Sequence, residues 1–305
     1  MYVGRFAPSP TGPLHFGSLT TAIASFLDAR SQGGRWRVRM EDVDKPREQP
    51  GAADAILRAL DAFALHWDGP VLYQSQRLEL YHDAVEHLRV AGRTFACTCT
   101  RREIADSAAP PFLAGQEGPI YPGTCRPGIR NGIRNDLPTR ALRVHVDAEP
   151  IGFEDRLQGY FEQNLARDVG DFVIVRADGF IAYQLAVVAD DAAQGITHVV
   201  RGSDLLFSTP RQILLQRLLG YATPRYLHLP IAVDDSGEKL SKQTFAAPID
   251  GLQPQRAVCA ALMFLGQDLP PDAEYLSLTA LWDYAGAHWN PERIPRTTAQ
   301  HCSLG

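Results

Sequence analysis

Two stretches far apart in the chain carry side chains that could hold a phosphate-bearing anion. In the first, residues 5–18 read RFAPSPTGPLHFGS and include His15, Gly17 and Ser18. In the second, residues 237–243 read GEKLSKQ and place Lys239 and Lys242 around a serine. Imidazole and hydroxyl groups donate hydrogen bonds to phosphate oxygens, and lysine supplies a compact positive charge. These residue types indicate a site for an anion such as a nucleotide.

The first stretch is positioned by a predicted strand, a loop rich in proline and glycine, and a helix. The helix is indicated by apolar residues that recur on one face, namely Leu19, Ala22, Ile23, Phe26 and Leu27. Its N-terminus would present unpaired N–H groups and the positive end of the helix dipole, which stabilise an anion. Because Gly17 lacks a Cβ, a flat ring or a phosphate could approach the backbone there.

Each stretch alone has an ordinary interpretation, a βα-turn with an incidental histidine or a lysine-rich surface loop. In this order and at this separation, however, HFGS at residues 15–18 and KLSKQ at residues 239–243 resemble the HIGH and KMSKS signatures of class I aminoacyl-tRNA synthetases. We therefore interpret them together.

Composition and length set outer limits on the class of protein. A chain of 305 residues can form two modest domains, or one large domain with an insertion, around a sizeable core. Hydrophobic residues make up 45% of the chain, but they form no continuous run of about eighteen that could span a bilayer. No secretory signal is evident either, so we expect a cytoplasmic protein without membrane contact. Five cysteines do not suggest a disulfide framework.

Charge is uneven along the chain. The net charge of −5 argues against a protein coated with basic groups for indiscriminate nucleic-acid binding. One segment nevertheless holds five arginines against the single acid Asp136; they are Arg126, Arg130, Arg134, Arg140 and Arg143. These arginines could follow a phosphate backbone or form a solvated face.

The order of predicted elements is that of a parallel sheet. A strand at 35–40 ends in EDVD at 41–44, helices follow at 52–64 and 77–90, and ligands of such folds bind beyond the carboxyl ends of the strands. The alternation of strands and helices is interrupted between residues 94 and 166. We interpret this segment as an insertion with strands at 141–146 and 151–155. We expect the parallel pattern to resume at 171–175, with later strands at 197–200 and 226–233. Helices are predicted at 182–193, from about 209, at 255–265 and at 278–288.

Three cysteines in the insertion have a spacing that suits zinc. Cys97 and Cys99 are one residue apart, and Cys125 follows a loop rich in glycine and proline. Three reduced, buried thiols are the alternative. No histidine lies between 97 and 125, so spacing alone leaves the fourth ligand open, with Glu103 and Asp106 as candidates.

Further motifs narrow the resemblance to one family. RFAPS at 5–9, EDVD at 41–44, YQLAVVADD at 183–191 and VRGSDL at 200–205 resemble the glutamyl-Q tRNA(Asp) synthetases, truncated relatives of the glutamyl- and glutaminyl-tRNA synthetases, and the likeness extends over essentially the whole chain. The resemblance implies an α/β class I Rossmann-type catalytic domain with a zinc-bearing insertion and a short C-terminal extension. It implies no anticodon-binding domain, because too few residues follow position 243.

The implied reaction joins glutamate and ATP into glutamyl-adenylate and transfers the glutamyl group to queuosine in the anticodon arm of tRNA(Asp). The resemblance makes His15, Lys239 and Lys242 catalytic, and His15, Gly17, Ser18 and Lys242 the ATP-binding residues, with Mg²⁺ accompanying ATP. It assigns glutamate to Arg5, Phe6, Ala7, Pro8, Ser9, Glu41, Tyr183 and Arg201. It assigns one Zn²⁺ to Cys97, Cys99, Tyr121 and Cys125.

The residues of the implied glutamate site fit its chemistry. Two arginines match two carboxylates, since an arginine fork can hold a carboxylate bidentately, and Glu41 matches the ammonium. The alternative for Arg5 and Glu41 is a structural ion pair at the sheet edge. We interpret Asp190 and Asp191 as a solvent-facing pair at a helix end and leave them out of the site.

We expect four segments in a monomeric protein. Residues 1–93 form a first Rossmann half, 94–166 the insertion, 167–233 a second half, and 234–305 the lysine loop with a helical extension. The principal alternative function is a conventional glutamyl- or glutaminyl-tRNA synthetase that charges the tRNA 3′ end. Further alternatives are a nucleotidyltransferase that shares only the His-x-Gly loop and a non-catalytic RNA-binding module.

Overall fold

The structure is a computed structural model that describes residues 1–107, 119–127, 140–234 and 253–302. The predicted lysine loop, with Lys239 and Lys242, lies outside the described residues. So do Arg130, Arg134 and Asp136 of the arginine-rich segment.

The described chain alternates strands and helices along most of its length. The strands are β1 (Val3–Phe6), β2 (Arg35–Met40), β3 (Leu72–Tyr73), β4 (Thr94–Cys97), β5 (Ala141–Val144), β6 (Ile151–Asp155), β7 (Gly159–Gln163), β8 (Val173–Val175), β9 (His198–Gly202), β10 (Arg225–Leu229), β11 (Ile231–Val233) and β12 (Ala299–His301). The helices are α1 (Phe16–Arg30), α2 (Ala52–Ala62), α3 (Leu78–Val90), α4 (Arg101–Ser107), α5 (Leu165–Asp168), α6 (Tyr183–Ala193), α7 (Thr209–Leu219), α8 (Pro254–Phe264) and α9 (Leu278–His288).

Two parallel groups of strands meet in the middle of the molecule. In one group β1, β2 and β3 pair in that order, and in the other β10 pairs with both β9 and β6. The groups meet where the backbone N–H of Thr197 donates to the Val3 carbonyl oxygen at 2.9 Å, which places β9 beside β1. The strand order therefore reverses between β1 and β9, and such a switch point opens a crevice beyond the strand ends. The predicted parallel α/β organisation is confirmed.

Helix α1 is the centre of the main core. Leu19, Ile23 and Leu27, on its predicted apolar face, are fully buried beside β1 and β2. The C-terminal helices cover its other side, since Phe16 packs edge-on against Phe264 of α8 at a centroid distance of 5.8 Å. The residues after the lysine loop thus complete the core beneath the crevice.

The segment at 171–175 does not return to the parallel sheet, and that prediction was wrong. Strand β8 instead pairs antiparallel with β5, which pairs antiparallel with β4. Conversely, β6 from the predicted insertion pairs in parallel with β10 and carries β7 on its outer edge. Both sheets thus cross the expected boundary between residues 166 and 167, and the division into four segments stays a prediction.

The predicted last strand at 226–233 is interrupted. Pro230, which has no N–H to donate to a ladder, separates β10 from β11, and β11 pairs with β12 near the end of the described chain. None of the described helices combines the length and the apolar character needed to cross a membrane.

Candidate active site and metal centre

A cleft of about 510 Å³ lies at the switch point between β1 and β9. Its walls are the segments that follow β1, β2, β9 and β10, together with the start of α1. Every predicted glutamate- or ATP-binding residue that the structure describes lines it: Arg5, Phe6, Ala7, Pro8, Ser9, His15, Gly17, Ser18, Glu41, Tyr183 and Arg201. Their roles in binding stay predictions.

The N-terminus of α1 forms one wall of the cleft. His15 is its N-cap residue, and its Nδ1 accepts a hydrogen bond from the Ser18 backbone N–H at 3.3 Å. Because Nδ1 accepts, a neutral His15 ring carries its proton on Nε2, which lies 3.0 Å from Ser18 Oγ. The helix end thus offers polar groups and a positive dipole to an anion in the cleft.

The opposite wall concentrates buried charge. Arg5 and Arg201 are each 4% exposed, and Glu41 follows the end of β2, where its backbone N–H donates to Pro8 O at 3.0 Å. Burial raises the pKa of the Glu41 carboxyl, although Arg39 and Arg5 oppose the rise. Burial also raises the pKa of Tyr183, which keeps its hydroxyl protonated as a neutral donor.

The guanidinium of Arg201, in the cleft wall, is only partly satisfied by the residues that the structure describes. Its Nε donates to His228 at 3.0 Å and its Nη2 to Thr209 Oγ1 at 2.8 Å. Its Nη1 is buried and has no hydrogen-bond partner among the described residues. A buried unpaired donor is costly, so this nitrogen is well suited to an acceptor on a ligand.

The predicted solvent-facing pair of aspartates is instead buried beneath the cleft. Asp190 is fully buried and Asp191 is 6% exposed. Asp191 Oδ1 accepts from Arg39 Nη1 at 2.7 Å and from Arg5 Nε at 3.3 Å. That interpretation was wrong, because α6 turns these carboxylates toward the sheet and its buried arginines.

Arg39 connects the aspartates to the cleft. Its fully buried guanidinium donates to Glu41 Oε1 at 3.1 Å and to Gln194 Oε1 at 2.8 Å, besides Asp191. Glu41 therefore pairs with Arg39 in this structure, rather than in the structural ion pair with Arg5 that we considered. Burial alone would raise the pKa of Asp191, but Arg5 and Arg39 outweigh burial and hold that pKa below its usual range.

The charges beneath the cleft balance, and all but the half-buried Arg77 have side chains that are less than 9% exposed. Asp190 also binds Arg77 at 2.7 Å and lies 3.8 Å from Arg39, so three carboxylates face three guanidinium groups. We call this set the charge cluster, and its members are Arg5, Arg39, Arg77, Glu41, Asp190 and Asp191. Two of its members, Arg5 and Glu41, reach the cleft wall.

Cys97, Cys99 and Cys125 converge in a separate cluster whose sulfur atoms all lie within 4.8 Å of one another. Cys99 Sγ and Cys125 Sγ are 3.6 Å apart, and Zn–S bonds of about 2.3 Å in a tetrahedron place sulfurs roughly 3.8 Å apart. Burial and the neighbouring thiols raise the pKa of Cys99 to about 12, so a bound cation would have to hold Cys99 as a thiolate. The sulfur set could bind a metal.

The hydroxyl of Tyr121 lies beside the cysteine cluster. Its hydroxyl is 3.5 Å from Cys97 Sγ and accepts from the Cys125 backbone N–H at 2.9 Å. Glu103, an alternative ligand, instead accepts from Thr100 N at 2.7 Å at the start of α4. The donors present fit a small tetrahedral cation.

Two described arginines of the arginine-rich segment, Arg126 and Arg143, have partners within the protein. Arg126 binds the Asp171 carboxylate with Nε at 2.6 Å, and the guanidinium of Arg143 stacks 3.8 Å from the centroid of the Tyr121 ring. Arg126 and Arg143 thus connect the surroundings of the cysteine cluster to the start of β8, and the Arg126 side chain stays 43% exposed.

Several cleft residues escaped the sequence analysis; they include Thr11, Arg47, Asp204, Leu205, Ile231 and Phe264. Most of them lie at or after the carboxyl end of a predicted strand. Ligands of parallel sheets bind at that end, so this position is the signal that could have identified these residues. Phe264 carries no such signal, because it reaches the cleft only through the packing of α8 on α1.

Residues 2–254 match the family described as tRNA synthetases class I (E and Q), catalytic domain. A glutamyl-Q tRNA(Asp) synthetase from Aromatoleum aromaticum is 56% identical over 295 residues, which are 97% of this chain and 91% of that protein. One from Dechloromonas aromatica is 57% identical over 295 residues, covering 97% of this chain and 96% of that protein.

Solved structures agree with the sequence relatives. The crystal structure of a glutamate-tRNA synthetase from Elizabethkingia anophelis matches with a TM-score of 0.82 and 25% identity, covering 99% of this chain and 68% of that one. The chain therefore belongs to the class I tRNA synthetases of the E and Q family, and within it to the glutamyl-Q tRNA(Asp) synthetases.

Proposed function

We propose that this protein activates glutamate with ATP and transfers the glutamyl group to the queuosine of tRNA(Asp). A glutamate carboxylate oxygen attacks the α-phosphorus of ATP, the bond to pyrophosphate breaks, and glutamyl-adenylate forms. A queuosine hydroxyl then attacks the adenylate carbonyl, loses its proton, and releases AMP. The observation that carries the proposal is a cleft lined by two buried arginines and by Glu41, whose side chain is 8% exposed, in a chain whose near full-length relatives bear this name.

In this cleft we assign the amino acid to the wall that follows β1, β2 and β9. Arg5 and Tyr183 take the side-chain carboxylate, with Arg201 in the same pocket, and Glu41 takes the α-ammonium. Phe6, Ala7, Pro8 and Ser9 shape the wall between them. The unpaired Nη1 of Arg201 supports the assignment, because a carboxylate would satisfy it.

We assign ATP to the N-terminus of α1. His15, Gly17 and Ser18 line the cleft there, and negative charge that develops on the α-phosphate would be stabilised by donors held in place before the reaction. Lys242 and Lys239 would supply positive charge from the loop that lies outside the described residues. Mg²⁺ would accompany the phosphates of ATP.

His15→Ala is expected to lower the rate of adenylate formation about a hundredfold, because one preorganised donor to a developing charge is worth roughly 3 kcal/mol. Lys242→Ala should act to a similar extent. ATP–pyrophosphate exchange measures both, and His198→Ala, at the far end of β9, is the matched control. Wild-type exchange in His15→Ala or Lys242→Ala would contradict the assignment.

We assign one Zn²⁺ to Cys97, Cys99, Tyr121 and Cys125, in a structural role. Four protein ligands complete a tetrahedral coordination sphere and leave no position for a substrate. The metal would therefore cross-link the segment around β4 and the segment around residue 125. The cluster is distinct from the cleft, since none of its members lines that cavity.

Cys99→Ser is expected to remove the metal and lower the melting temperature, because metal binding is coupled to folding of the segments that hold it. The wild type should contain about one zinc per chain by elemental analysis. Cys259→Ser, which changes a buried cysteine in α8, is the control and should keep the metal. Full zinc content in a Cys97→Ser/Cys99→Ser double variant would show that the ligands lie elsewhere.

The acceptor distinguishes this function from the principal alternative, a synthetase that charges the tRNA 3′ end. We assign the anticodon arm of the tRNA to the mouth of the cleft and expect the protein to act as a monomer. Labelled glutamate should attach to tRNA(Asp) that carries queuosine and not to the same tRNA carrying guanosine at that position. Equal labelling of both forms would favour the alternative.

A further inference from the structure

A buried relay of hydrogen bonds lies behind Arg201, on the side away from the cleft. His228 on β10 is fully buried, and its Nε2 accepts from Arg201 Nε at 3.0 Å. Its Nδ1 lies 2.6 Å from Asp155 Oδ2 at the end of β6. Neither His228 nor Asp155 lines the cleft.

The hydrogen-bond pattern fixes the protonation state of His228. Arginine Nε can only donate, so His228 Nε2 must be the acceptor and the proton of the neutral ring must be on Nδ1, where Asp155 accepts it. Burial lowers the pKa of His228 to about 4, although the bond to Asp155 opposes that change. A neutral ring with one defined tautomer is therefore the form that faces Arg201.

Asp155 is itself held in one orientation. Its Oδ1 accepts from the backbone N–H groups of Leu157 at 3.0 Å and Gln158 at 2.9 Å, so Oδ2 is the oxygen directed at His228 Nδ1. Thr209 Oγ1 completes the arrangement, because it accepts from Arg201 Nη2 at 2.8 Å. With Nε and Nη2 both held, Nη1 is the nitrogen for which the described part of the chain supplies no acceptor.

We propose that His228 and Asp155 are positioning residues that act through Arg201 to hold its Nη1 ready for a carboxylate of the amino acid substrate. This inference rests on the proposed function of the cleft. It adds two residues that do not touch substrate and yet determine how tightly the amino acid binds.

Asp155→Asn is the sharpest variant, because it preserves size and should reverse the tautomer. The backbone donors at 157 and 158 would retain the amide oxygen, which places the NH₂ group against His228 Nδ1. His228 would then carry its proton on Nε2, opposite the Nε–H of Arg201, and two donors would face each other. Ring ¹⁵N chemical shifts of histidine-labelled protein report this tautomer directly.

In ATP–pyrophosphate exchange, Asp155→Asn should raise the KM for glutamate about tenfold to a hundredfold, the range for a lost hydrogen bond to a charged group, with the KM for ATP unchanged. His228→Phe should act likewise. His228→Gln should recover part of the loss, since its amide oxygen can replace Nε2 as acceptor. His198→Gln, on the neighbouring strand, is the control and should leave both constants unchanged.

A double-mutant cycle separates positioning from a general effect on folding. In an Arg201→Met background, Asp155→Asn and His228→Gln should have no further effect on the KM for glutamate, because they act through the missing guanidinium. Equal effects in both backgrounds, equal changes in the KM for ATP, or wild-type constants in all variants would overturn the inference. Failure of the wild type to activate glutamate would instead overturn the proposed function.

Discussion

The wild-type protein is expected to activate glutamate with a kcat/KM about a thousandfold or more above that for glutamine. In the cleft, Arg5 and Arg201 are both nearly inaccessible to solvent, and Arg201 Nη1 has no protein partner among the described residues. A carboxylate offers two charged acceptor oxygens to these donors, whereas the amide of glutamine is uncharged and offers one acceptor oxygen, with an NH₂ group that cannot accept from a guanidinium. Glutamine would leave a desolvated cation unpaired.

Arg5→Ala should remove most of the kcat/KM for glutamate without a matching loss of ATP affinity. The fold should persist, because Asp191 keeps Arg39 as a partner at 2.7 Å after the Arg5 contact is lost. Exchange kinetics with glutamate, glutamine and aspartate on wild type and variant give the comparison. Arg89→Ala, which breaks an exposed pair with Glu86 on α3, is the matched control.

Two results would contradict this account of the cleft. Comparable activation of glutamine and glutamate by the wild type would mean that no buried cation awaits a second carboxylate. Neutrality of Arg5→Ala would mean that Arg5 serves the charge cluster alone. Either result would return the glutaminyl-type alternative to first place.

Local sequence was sufficient to predict the cleft because its residues follow strands. Parallel strands share an edge, so the pattern of strands predicted that Arg5 and Glu41 converge, whereas Arg201 was assigned to the same site by the family resemblance. The helix that presents His15 was equally evident, since its apolar face repeats with helical spacing.

Local sequence could not predict which partner a strand or a charge would find. The apolar run that forms β8 suits a parallel or an antiparallel neighbour, and only the position of β5 decides between them. Asp190 and Asp191 resemble a solvated pair, because acids near a helix end usually are exposed. Their burial depends on Arg39, which is distant in sequence. In the sequence, Arg39 is only one polar residue of a strand in which polar and apolar residues alternate.

Asp191→Ala is expected to lower the free energy of unfolding by about 3–5 kcal/mol, the usual cost of removing one partner from a buried ion pair. The variant would leave Arg39 with less than its full set of acceptors in a site with no solvent, and Arg5 without the carboxylate on its Nε. This loss of stability comes from the cations that are left unpaired. An intact buried ion pair adds little to the free energy of unfolding compared with apolar residues of similar size in its place. The charge cluster would carry a net positive charge.

Chemical denaturation of wild type, Asp191→Ala and Asp191→Asn measures the cost, and Asp178→Ala is the matched control. Asp178 pairs with Arg176 at the surface, so its loss should change stability by less than about 1 kcal/mol. Asp191→Asn should fall between the two, since an amide oxygen can still accept from Arg39 although the charge is lost. Glutamate activation should fall with stability, because Arg39 also holds Glu41 at 3.1 Å and Asp191 holds Arg5 at 3.3 Å. If Asp191→Ala were as stable as Asp178→Ala, the buried carboxylate would not be needed to balance the arginines, and its link to the cleft would have to be abandoned.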